Sequence, residues 1–306
     1  MSNQNLTIRR PTPAEADEAL RFYASGGAGR QPSPAVLEEI NAAVRKGTWQ
    51  PDHQMLARRG DTIVGSVPYF TSPSRTAVIV FPSIAPDEPA DTAAKLVKTA
   101  VNSAVQEGVK LCIALIPKRF PHGGIPFLSA GFLRIAVLAN MESRSLPPQP
   151  PASDLKWITY DKTTRHRFAD TYAATLQGTL DCSDLPRVQT PAEVLEGHKL
   201  AGEFRPDLWF LAIERDTEIG CVLINQLRKP TDFCLVYLGV VPDHRRRHYG
   251  EILLRKAMSH ARAAGATKIS LSVDEQNLPA LKIYEHLGFR HTDAILLYAF
   301  STASPD

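Results

Sequence analysis

The feature that most constrains this fold is an internal repeat. The hairpin-like pattern Ala57-x-x-x-Asp61-Thr62-x-x-Gly65 recurs as Ala212-x-x-x-Asp216-Thr217-x-x-Gly220. A proline follows that glycine after 21 residues in the first copy and 22 in the second, and a Gly-Phe pair follows the proline after 45 and 46 residues. Each copy is long enough to bury its own core, so the chain is predicted to hold two tandem domains rather than a solenoid.

A proline-rich spacer separates the two copies. Because proline lacks a backbone N–H and fixes φ, Leu146-Pro-Pro-Gln-Pro-Pro-Ala-Ser153 is predicted to be an extended linker. The predicted organisation is a domain over residues 1–146, a linker over 147–153 and a domain over 154–306. A total of 306 residues suits two domains of ordinary size.

In both copies strand patterns alternate with helix patterns, which predicts a mixed α/β fold. In the second copy, residues 250–264 repeat apolar side chains at helical spacing and end at Gly265. Residues 269–273 alternate as a strand does, and residues 277–287 return to helical spacing. Two further strands are predicted after the Gly-Phe pairs, at 135–140 and 294–300.

A basic turn joins the central strand of the second copy to the next helix. The strand pattern Tyr237-Leu-Gly-Val-Val-Pro242 runs into Asp243-His-Arg-Arg-Arg-His-Tyr-Gly250. A helix N-terminus presents unpaired backbone N–H groups and partial positive charge, and the three consecutive arginines add full charges. The turn therefore predicts a site for phosphate, with diphosphate as the preferred partner.

Three motifs in this region, in the same order and spacing, resemble the GCN5-related N-acetyltransferase (GNAT) superfamily. They are Val240-x-Pro242, Arg245-x-x-His248-x-Gly250 and Asn277-x-x-Ala280-x-x-x-Tyr284-x-x-x-Gly288-Phe289. The resemblance implies two tandem GNAT-like domains, each a mixed, mostly antiparallel sheet flanked by helices. It also implies an acetyl-CoA-dependent N-acetyltransferase that acts on a primary amine of a small molecule or an amino terminus, by direct attack on the thioester.

The resemblance implies which residues contact acetyl-CoA. These are Leu238, Val240, Val241, Arg245, Arg246, Arg247, His248, Tyr249, Gly250, Asn277, Ala280 and Tyr284. Tyr284 is also the expected catalytic residue, because a phenol with a pKa of about 10 is protonated at neutral pH and can protonate the leaving CoA thiolate. A backbone N–H of the strand that ends at Val240 is expected to meet the oxyanion.

His248 departs from the family pattern, since relatives have glycine there. With a helical φ the histidine would cost little and its imidazole would be near the phosphates, whereas a positive φ would strain the turn. A side chain that points to solvent is the favoured interpretation.

The group that takes the proton of the amine is left open by the sequence. Asp232, Cys234 and Tyr237 lie on or beside the central strand, and none is established as the base. Asp181 and Asp184 lie in the loop 178–186, where relatives build the acceptor pocket, and two acids there would suit a cationic amine. Acids in loops are, however, commonly solvated without function.

The first copy lacks the residues expected to do chemistry. Aligned on the repeat, Pro89, Thr92 and Ala94 replace Arg245, His248 and Gly250, while Phe127 replaces Tyr284 and Asn277 falls near Phe120. Asp87, Glu88 and Asp91 stand at the start of the following helix, where they would repel a diphosphate. This first domain is predicted to be a degenerate, non-catalytic GNAT-like domain, in an architecture that resembles tandem acetyltransferases of the mycothiol synthase type. It would shape the acceptor pocket, bind CoA without reaction, or stabilise the second domain.

Two other functions are considered beside the enzyme. One is a non-catalytic acyl-CoA-binding or scaffolding protein with a tandem GNAT fold. The other is nucleic-acid binding through the arginine run, which the formal net charge of only +3 disfavours.

Composition excludes several further classes. The four cysteines, Cys112, Cys182, Cys221 and Cys234, have no C-x-x-C spacing and no histidine at zinc-like spacing, so neither a metal site nor a disulfide framework is predicted. No signal-peptide pattern and no run of eighteen apolar residues occurs, so a cytoplasmic protein without membrane partners is expected. The oligomeric state is left open.

Overall fold

The computed structural model describes residues 5–27, 34, 38, 42, 45, 49–50, 52–120 and 122–302. The chain forms two compact units. The first unit comprises Met1–Ile135 together with Leu296–Asp306, and the second unit comprises Ala136–Ile295. Within the described residues, no helix combines the length and the apolarity that a membrane span needs.

The first unit contains a mixed sheet with helices against it. Its elements are β1 (Leu6–Arg9), α1 (Ala16–Ala24), β2 (Gln54–Arg59), β3 (Thr62–Thr71), β4 (Thr76–Ile79), β5 (Ser83–Ile84), α2 (Asp91–Gln106), β6 (Leu111–Pro117), α3 (Ile125–Ser129) and the start of β7 (Leu133–Ser143). Strands β1 to β4 pair antiparallel in chain order, and β4 pairs parallel with β6.

The second unit repeats this plan. Its elements are the rest of β7, then β8 (Lys156–Thr159), α4 (Arg165–Thr175), α5 (Pro191–His198), β9 (Trp209–Glu214), β10 (Thr217–Gln226), β11 (Asp232–Val240), α6 (Tyr249–Ala263), β12 (Lys268–Asp274), α7 (Leu278–His286) and the start of β13 (Arg290–Ser301). Pairs β8–β9, β9–β10, β10–β11 and β12–β7 are antiparallel, and β11–β12 is parallel. The predicted mixed, mostly antiparallel α/β fold is confirmed.

The predicted elements around the basic turn are also confirmed. Helix α6 buries Leu253, Leu254, Ala257, Met258 and Ala261, the apolar face predicted from its spacing. That face packs into the core of the second unit, and each fully buried leucine contributes roughly 1.5–3 kcal/mol. The helix is therefore held by its packing, and its first turn is free to serve another purpose.

The units divide the chain at other places than the predicted boundaries. Residues 144–155 contain no helix or strand, in agreement with a spacer, yet they lie inside the second unit. Leu146 is buried in the core of that unit, and Arg262 donates to its carbonyl at 2.6 Å. Strand β7 enters the second unit at Ala136 and pairs there with β12, from Leu138 opposite Asp274 to Ser143 opposite Ile269. The hydrogen bonds between paired strands join backbone groups, so the pattern of side chains in β7 does not specify that β12 is its partner.

Candidate active site

The candidate site is a cavity of about 710 Å³ in the second unit, where β11 and β12 separate. Their ladder joins only Asp232–Cys234 to Lys268–Ser270, although β11 continues to Val240 and β12 to Asp274. A register shift opposite Leu223 and Ile224 leaves Val236 as an extra residue in β11. Such a bulge bends its strand, and the opened space between the strands becomes the cavity.

The cavity gathers most of the predicted site residues. Those that line it are Asp181, Leu238, Val240, Arg245, Arg246, His248, Tyr249, Gly250, Asn277, Ala280 and Tyr284. Val241, Arg247 and Asp184 are not among the lining residues. Residues that are nearly fifty positions apart in the sequence thus meet at one place, as the spacing of the motifs predicted.

The basic turn leaves a run of backbone donors open. The N–H groups of residues 246–250 have no acceptor within the described part of the chain, whereas those of Glu251 and Ile252 both donate to the His248 carbonyl at 3.1 Å. The φ angles of Arg246 and His248 are positive, at 61° and 62°. Successive N–H groups at a turn of this kind and at a helix start form an anion-binding concavity.

His248 adopts the less favourable of the two predicted conformations. It caps α6 with a left-handed backbone, and its side chain is exposed and makes no capping hydrogen bond. A left-handed residue other than glycine costs about 1–3 kcal/mol, although histidine is among the residue types enriched there. The turn thus carries strain that a glycine would avoid.

Arg245 lines the cavity, and the protein itself engages its guanidinium. Its guanidinium donates to four backbone carbonyls, those of Val240 at 3.0 Å, Gly178 at 3.0 Å, Thr175 at 2.9 Å and Gln177 at 2.7 Å. These carbonyls belong to the end of α4, the loop after it and the end of β11. Arg245 therefore ties that loop to the turn, and its hydrogen-bonding capacity is largely used by the protein itself.

The other two arginines point to different surroundings. Arg246 is exposed at the cavity and has no hydrogen-bond or ion-pair partner in the described part of the chain. Arg247 lies outside the cavity, 3.6 Å from the Glu214 carboxylate and over the ring of Tyr249 at 5.1 Å. Tyr249 also donates its hydroxyl to Glu214. The cation available to a ligand at this turn is therefore Arg246.

Tyr284 presents to the cavity the hydroxyl of a largely buried residue. Only 7% of the residue is exposed, its ring lies 5.7 Å from that of Phe289, and its hydroxyl has no hydrogen-bond partner among the described residues. Burial raises the pKa of this phenol well above its ordinary value, and the negative charge of Asp181 raises it further. The hydroxyl therefore stays protonated at neutral pH.

Asp181 is held against the end of β12. Its Oδ1 accepts the N–H of Asp274 at 3.1 Å, and the Asp274 Oδ2 accepts the N–H of Cys182 at 3.2 Å. Burial of the carboxyl raises the pKa of Asp181 above its ordinary value, the bond from the Asp274 N–H opposes this, and the charge of Asp274 adds to the rise. Asp181 and Asp184 are both exposed as whole residues, and Asp184 accepts from the Ser183 hydroxyl at 3.3 Å.

The three strand residues considered as bases are placed apart. Asp232 forms an ion pair with Lys268 at 2.9 Å, and this contact lowers its pKa. Cys234 lies outside the cavity. Tyr237 lines it, and burial raises its pKa far above the ordinary value.

Sequence reasoning missed the contact that closes the cavity beside Tyr237. The Thr175 hydroxyl donates its proton to the Tyr172 carbonyl at 2.7 Å. The Tyr237 hydroxyl lies 2.7 Å from the same Thr175 oxygen, so Tyr237 is the donor in that second hydrogen bond. A Cβ at Gly239 would lie 2.7 Å from both oxygens, so this approach requires glycine. Nothing in the sequence pattern marks Thr175, because it is brought there by the packing of α4 on the sheet.

The geometry agrees with comparison against known proteins. The model of the acetyltransferase (GNAT) family matches residues 178–289, which include the turn, β12 and α7. Residues 178–289 belong to the GNAT superfamily of acetyltransferases. The resemblance read from the three motifs is therefore confirmed, and the cavity lies within this GNAT region.

Curated relatives match over a shorter stretch of the chain. A mycothiol acetyltransferase of Streptosporangium roseum and another of Corynebacterium glutamicum are each 38% identical over 61 residues, which is 20% of this chain. The match spans only 18% and 21% of the length of these relatives.

Solved structures match the whole fold. A GCN5-related N-acetyltransferase from Sphaerobacter thermophilus aligns with a TM-score of 0.62 and 16% identity, over 98% of this chain and 97% of that chain. A tandem GNAT protein from the clavulanic acid biosynthesis pathway aligns with a TM-score of 0.57 and 13% identity, over 99% of this chain and 100% of that chain. At these identities the likeness concerns the fold, which is a tandem GNAT fold.

Metal ligands do not gather in the GNAT region. Across the described residues, no group of three or more histidine, cysteine, aspartate or glutamate side chains is arranged to hold a metal ion.

Proposed function

We propose that the second unit is an acetyl-CoA-dependent N-acetyltransferase that acts on a primary amine of a small molecule or on an amino terminus. One observation carries this proposal, the meeting of an open phosphate-type turn and a buried, unpartnered phenol in one cavity. The N–H groups of residues 246–250 supply the first, and Tyr284 supplies the second. The membership of residues 178–289 in an acetyltransferase superfamily supports it.

In this proposal the turn holds the diphosphate of acetyl-CoA. The backbone N–H groups of residues 246–250 and the partial positive charge at the start of α6 face the phosphates, and Arg246 adds a full charge. Arg245 acts indirectly, because its bonds to Thr175, Gln177 and Gly178 keep the loop 176–190 against the turn. The cavity walls between β11 and β12 receive the pantetheine arm.

Tyr284 is proposed to protonate the sulfur of the leaving group. Its raised pKa means that it gives up a proton only to a strong base, and a CoA thiolate formed in a water-poor cavity is one. The phenol is thus uncharged until the carbon–sulfur bond breaks.

Asp181 is proposed to take the proton that an acceptor ammonium must lose, and Asp184 is not part of this proposal. The raised pKa of Asp181 makes it a better base toward an ammonium than an ordinary carboxylate. The freed amine forms a bond with the acetyl carbon while the carbon–sulfur bond breaks. The nitrogen loses two protons in all. The one taken by Asp181 passes to solvent, and the other replaces the proton that Tyr284 gives to sulfur.

The first unit is proposed to be non-catalytic. Phe127 stands where the second unit has Tyr284, and it is fully buried between Phe132 and Tyr298. Glu88 occupies the turn before α2 and accepts from Arg59 at 2.8 Å. At these two positions the first unit therefore presents a phenyl ring in place of an acid and a carboxylate in place of a cation.

One observation favours an alternative, a non-catalytic acyl-CoA-binding protein. The strain at His248 weakens the turn relative to a glycine turn. A protein that only bound acyl-CoA would have no use for the buried hydroxyl of Tyr284, however, so catalysis remains the better explanation of the whole site.

Isothermal titration with acetyl-CoA, followed by a thiol-release assay with a panel of primary amines, tests the proposal. We expect one binding event per chain, weakened in Arg246→Glu, and CoA release that depends on an amine. Two binding events would overturn the assignment of the first unit, and no binding would overturn the function. Binding without CoA release from any amine would favour the acyl-CoA-binding alternative.

A further inference from the structure

A second cavity adjoins the first within the second unit. It has a volume of about 570 Å³ and shares Leu235, Val236, Leu271 and Ser272 with the first. These four residues lie where the ladder between β11 and β12 ends. The two cavities therefore share a wall at the point where the strands begin to separate.

The two cavities differ in charge. The lining of the first carries Arg245, Arg246 and Lys282 against Asp181 and Glu251. Among the described residues that line the second, Glu142 is the single aspartate, glutamate, lysine or arginine. A cationic cavity suits an anionic cosubstrate, and a cavity with a carboxylate suits a cation.

The Glu142 carboxylate has capacity to bind a donor. It forms ion pairs with Lys268 at 3.4 Å and with Arg144 at 3.7 Å, and the contact with Glu142 helps to raise the pKa of Lys268. Lys268 is closer to Asp232, at 2.9 Å, so its charge is mainly balanced there. An ammonium group that reaches Glu142 would add a charge-assisted contact to these two, because the two oxygens of a carboxylate have about four acceptor sites.

Asn140 adds a fixed polar group to the same wall. Its Oδ1 accepts from the Ser272 hydroxyl at 2.6 Å, and its carbonyl accepts from the Thr292 hydroxyl at 3.2 Å. Asn140 and Glu142 both belong to β7, a strand that the sequence assigns largely to the first repeat. The first half of the chain thus supplies a wall of a cavity in the GNAT-bearing unit.

We infer that this second cavity binds the far end of the acceptor, and that Glu142 selects small amines with a second positively charged group. This inference rests on the proposed function, because the acceptor must reach the thioester from a space that acetyl-CoA does not fill. The reacting amine lies at the shared wall near Leu235 and Leu271. The second ammonium lies against Glu142, with Asn140 beside it.

The test compares three probes of similar length at saturating acetyl-CoA, namely putrescine, butylamine and γ-aminobutyrate. Their far ends are cationic, apolar and anionic, so differences among them report on the second cavity. We expect the lowest KM for putrescine and the highest for γ-aminobutyrate. In Glu142→Gln the KM for putrescine should rise about tenfold, the size of one charge-assisted hydrogen bond, with the KM for butylamine unchanged.

Glu285→Gln is the matched control, because Glu285 is an exposed acid on α7 that lines neither cavity. It should keep the preference for putrescine. Equal KM values for putrescine and butylamine in the wild type, an unchanged preference in Glu142→Gln, or no turnover of any probe would each overturn the inference. The affinity for acetyl-CoA separates this failure from failure of the proposed function, since it should be the same in all three proteins.

Discussion

The two units begin the helix after their central proline in opposite ways. In the first unit, Glu88 accepts from Arg59 at 2.8 Å and from the Thr92 hydroxyl at 2.9 Å, so a carboxylate occupies the turn before α2, although no side chain caps that helix. In the second unit, residues 246–250 leave their N–H groups open beside the unpartnered Arg246. Neither helix start has a side-chain cap, so the sign of the charge beside it decides which of the two suits an anionic ligand.

The helices α3 and α7, which occupy corresponding places in the two units, also differ at one position. Phe127 of α3 packs 5.4 Å from Phe132 and 6.4 Å from Tyr298, which fills its surroundings with rings. Tyr284 of α7 packs on Phe289 at 5.7 Å but keeps a free hydroxyl at the cavity. One oxygen atom therefore separates a packing position from a candidate acid.

Removing that oxygen should have the largest effect. Tyr284→Phe makes the second unit resemble the first at this position, and turnover should fall about 10²- to 10⁴-fold because the thiolate loses its proton donor. The acetyl-CoA dissociation constant, measured by titration, should hardly change. Tyr237→Phe is the control, since this phenol of the same cavity is engaged with Thr175. Equal losses in both variants would remove Tyr284 from the mechanism.

Asp181→Asn should lower turnover about 10²-fold, at the low end of the range for a general base. Asparagine can still accept the Asp274 N–H, so the loop should stay in place. With Asp181 as the base, its raised pKa should give the wild type an acid limb in the pH–rate profile, and this limb should disappear in the variant. Asp184→Asn, a change to an exposed acid of the same loop, should leave the profile unaltered.

The variant Asp181→Asn should also change how the free energy of unfolding depends on pH. Because the pKa of Asp181 is raised in the folded state, folded protein binds this proton more tightly than the unfolded chain does. Its contribution to stability therefore declines as pH rises from the unfolded pKa to the folded one. At neutral pH Asp181→Asn should unfold at an equal or higher denaturant concentration, and a clear loss of stability would contradict the assignment.

Arg246→Glu should weaken acetyl-CoA binding about tenfold, because it brings an acid to the turn as in the first unit. The loss should shrink as salt is added, since the side chain is exposed. Arg247→Glu is the matched control, because Arg247 faces Glu214 outside the cavity. If both changes weaken binding equally, general charge rather than the cavity decides affinity.

His248→Gly should have the smallest effect. Glycine removes the left-handed strain but adds freedom to the unfolded chain, so a net stabilisation of about 0.5–1 kcal/mol is expected from chemical denaturation. Turnover should be kept or improved, since the exposed imidazole has no contact to lose. Destabilisation would mean that the side chain does something here that the backbone geometry does not reveal.

Local sequence was sufficient for the elements and for most of the lining. The 3.6-residue spacing of Leu253, Leu254 and Ala257 specified the buried face of α6, and the three motifs placed Tyr284 and the turn in one cavity. Local sequence could not say which of three adjacent arginines would face a ligand. That choice depends on carbonyls of residues 175–178, about seventy positions away, and on Glu214.

The sequence by itself determined that this chain contains two copies of one α/β plan, and it predicted that the groups for acyl transfer lie in the second copy. Periodicity and residue type carry that information, because they fix which faces are buried and which chemistry is present. Only the tertiary structure decided that β7 pairs with β12 and brings Asn140 and Glu142 to the second cavity. Strand pairing is made by backbone groups that every residue shares, so the partner of a strand follows from the packing of the whole chain.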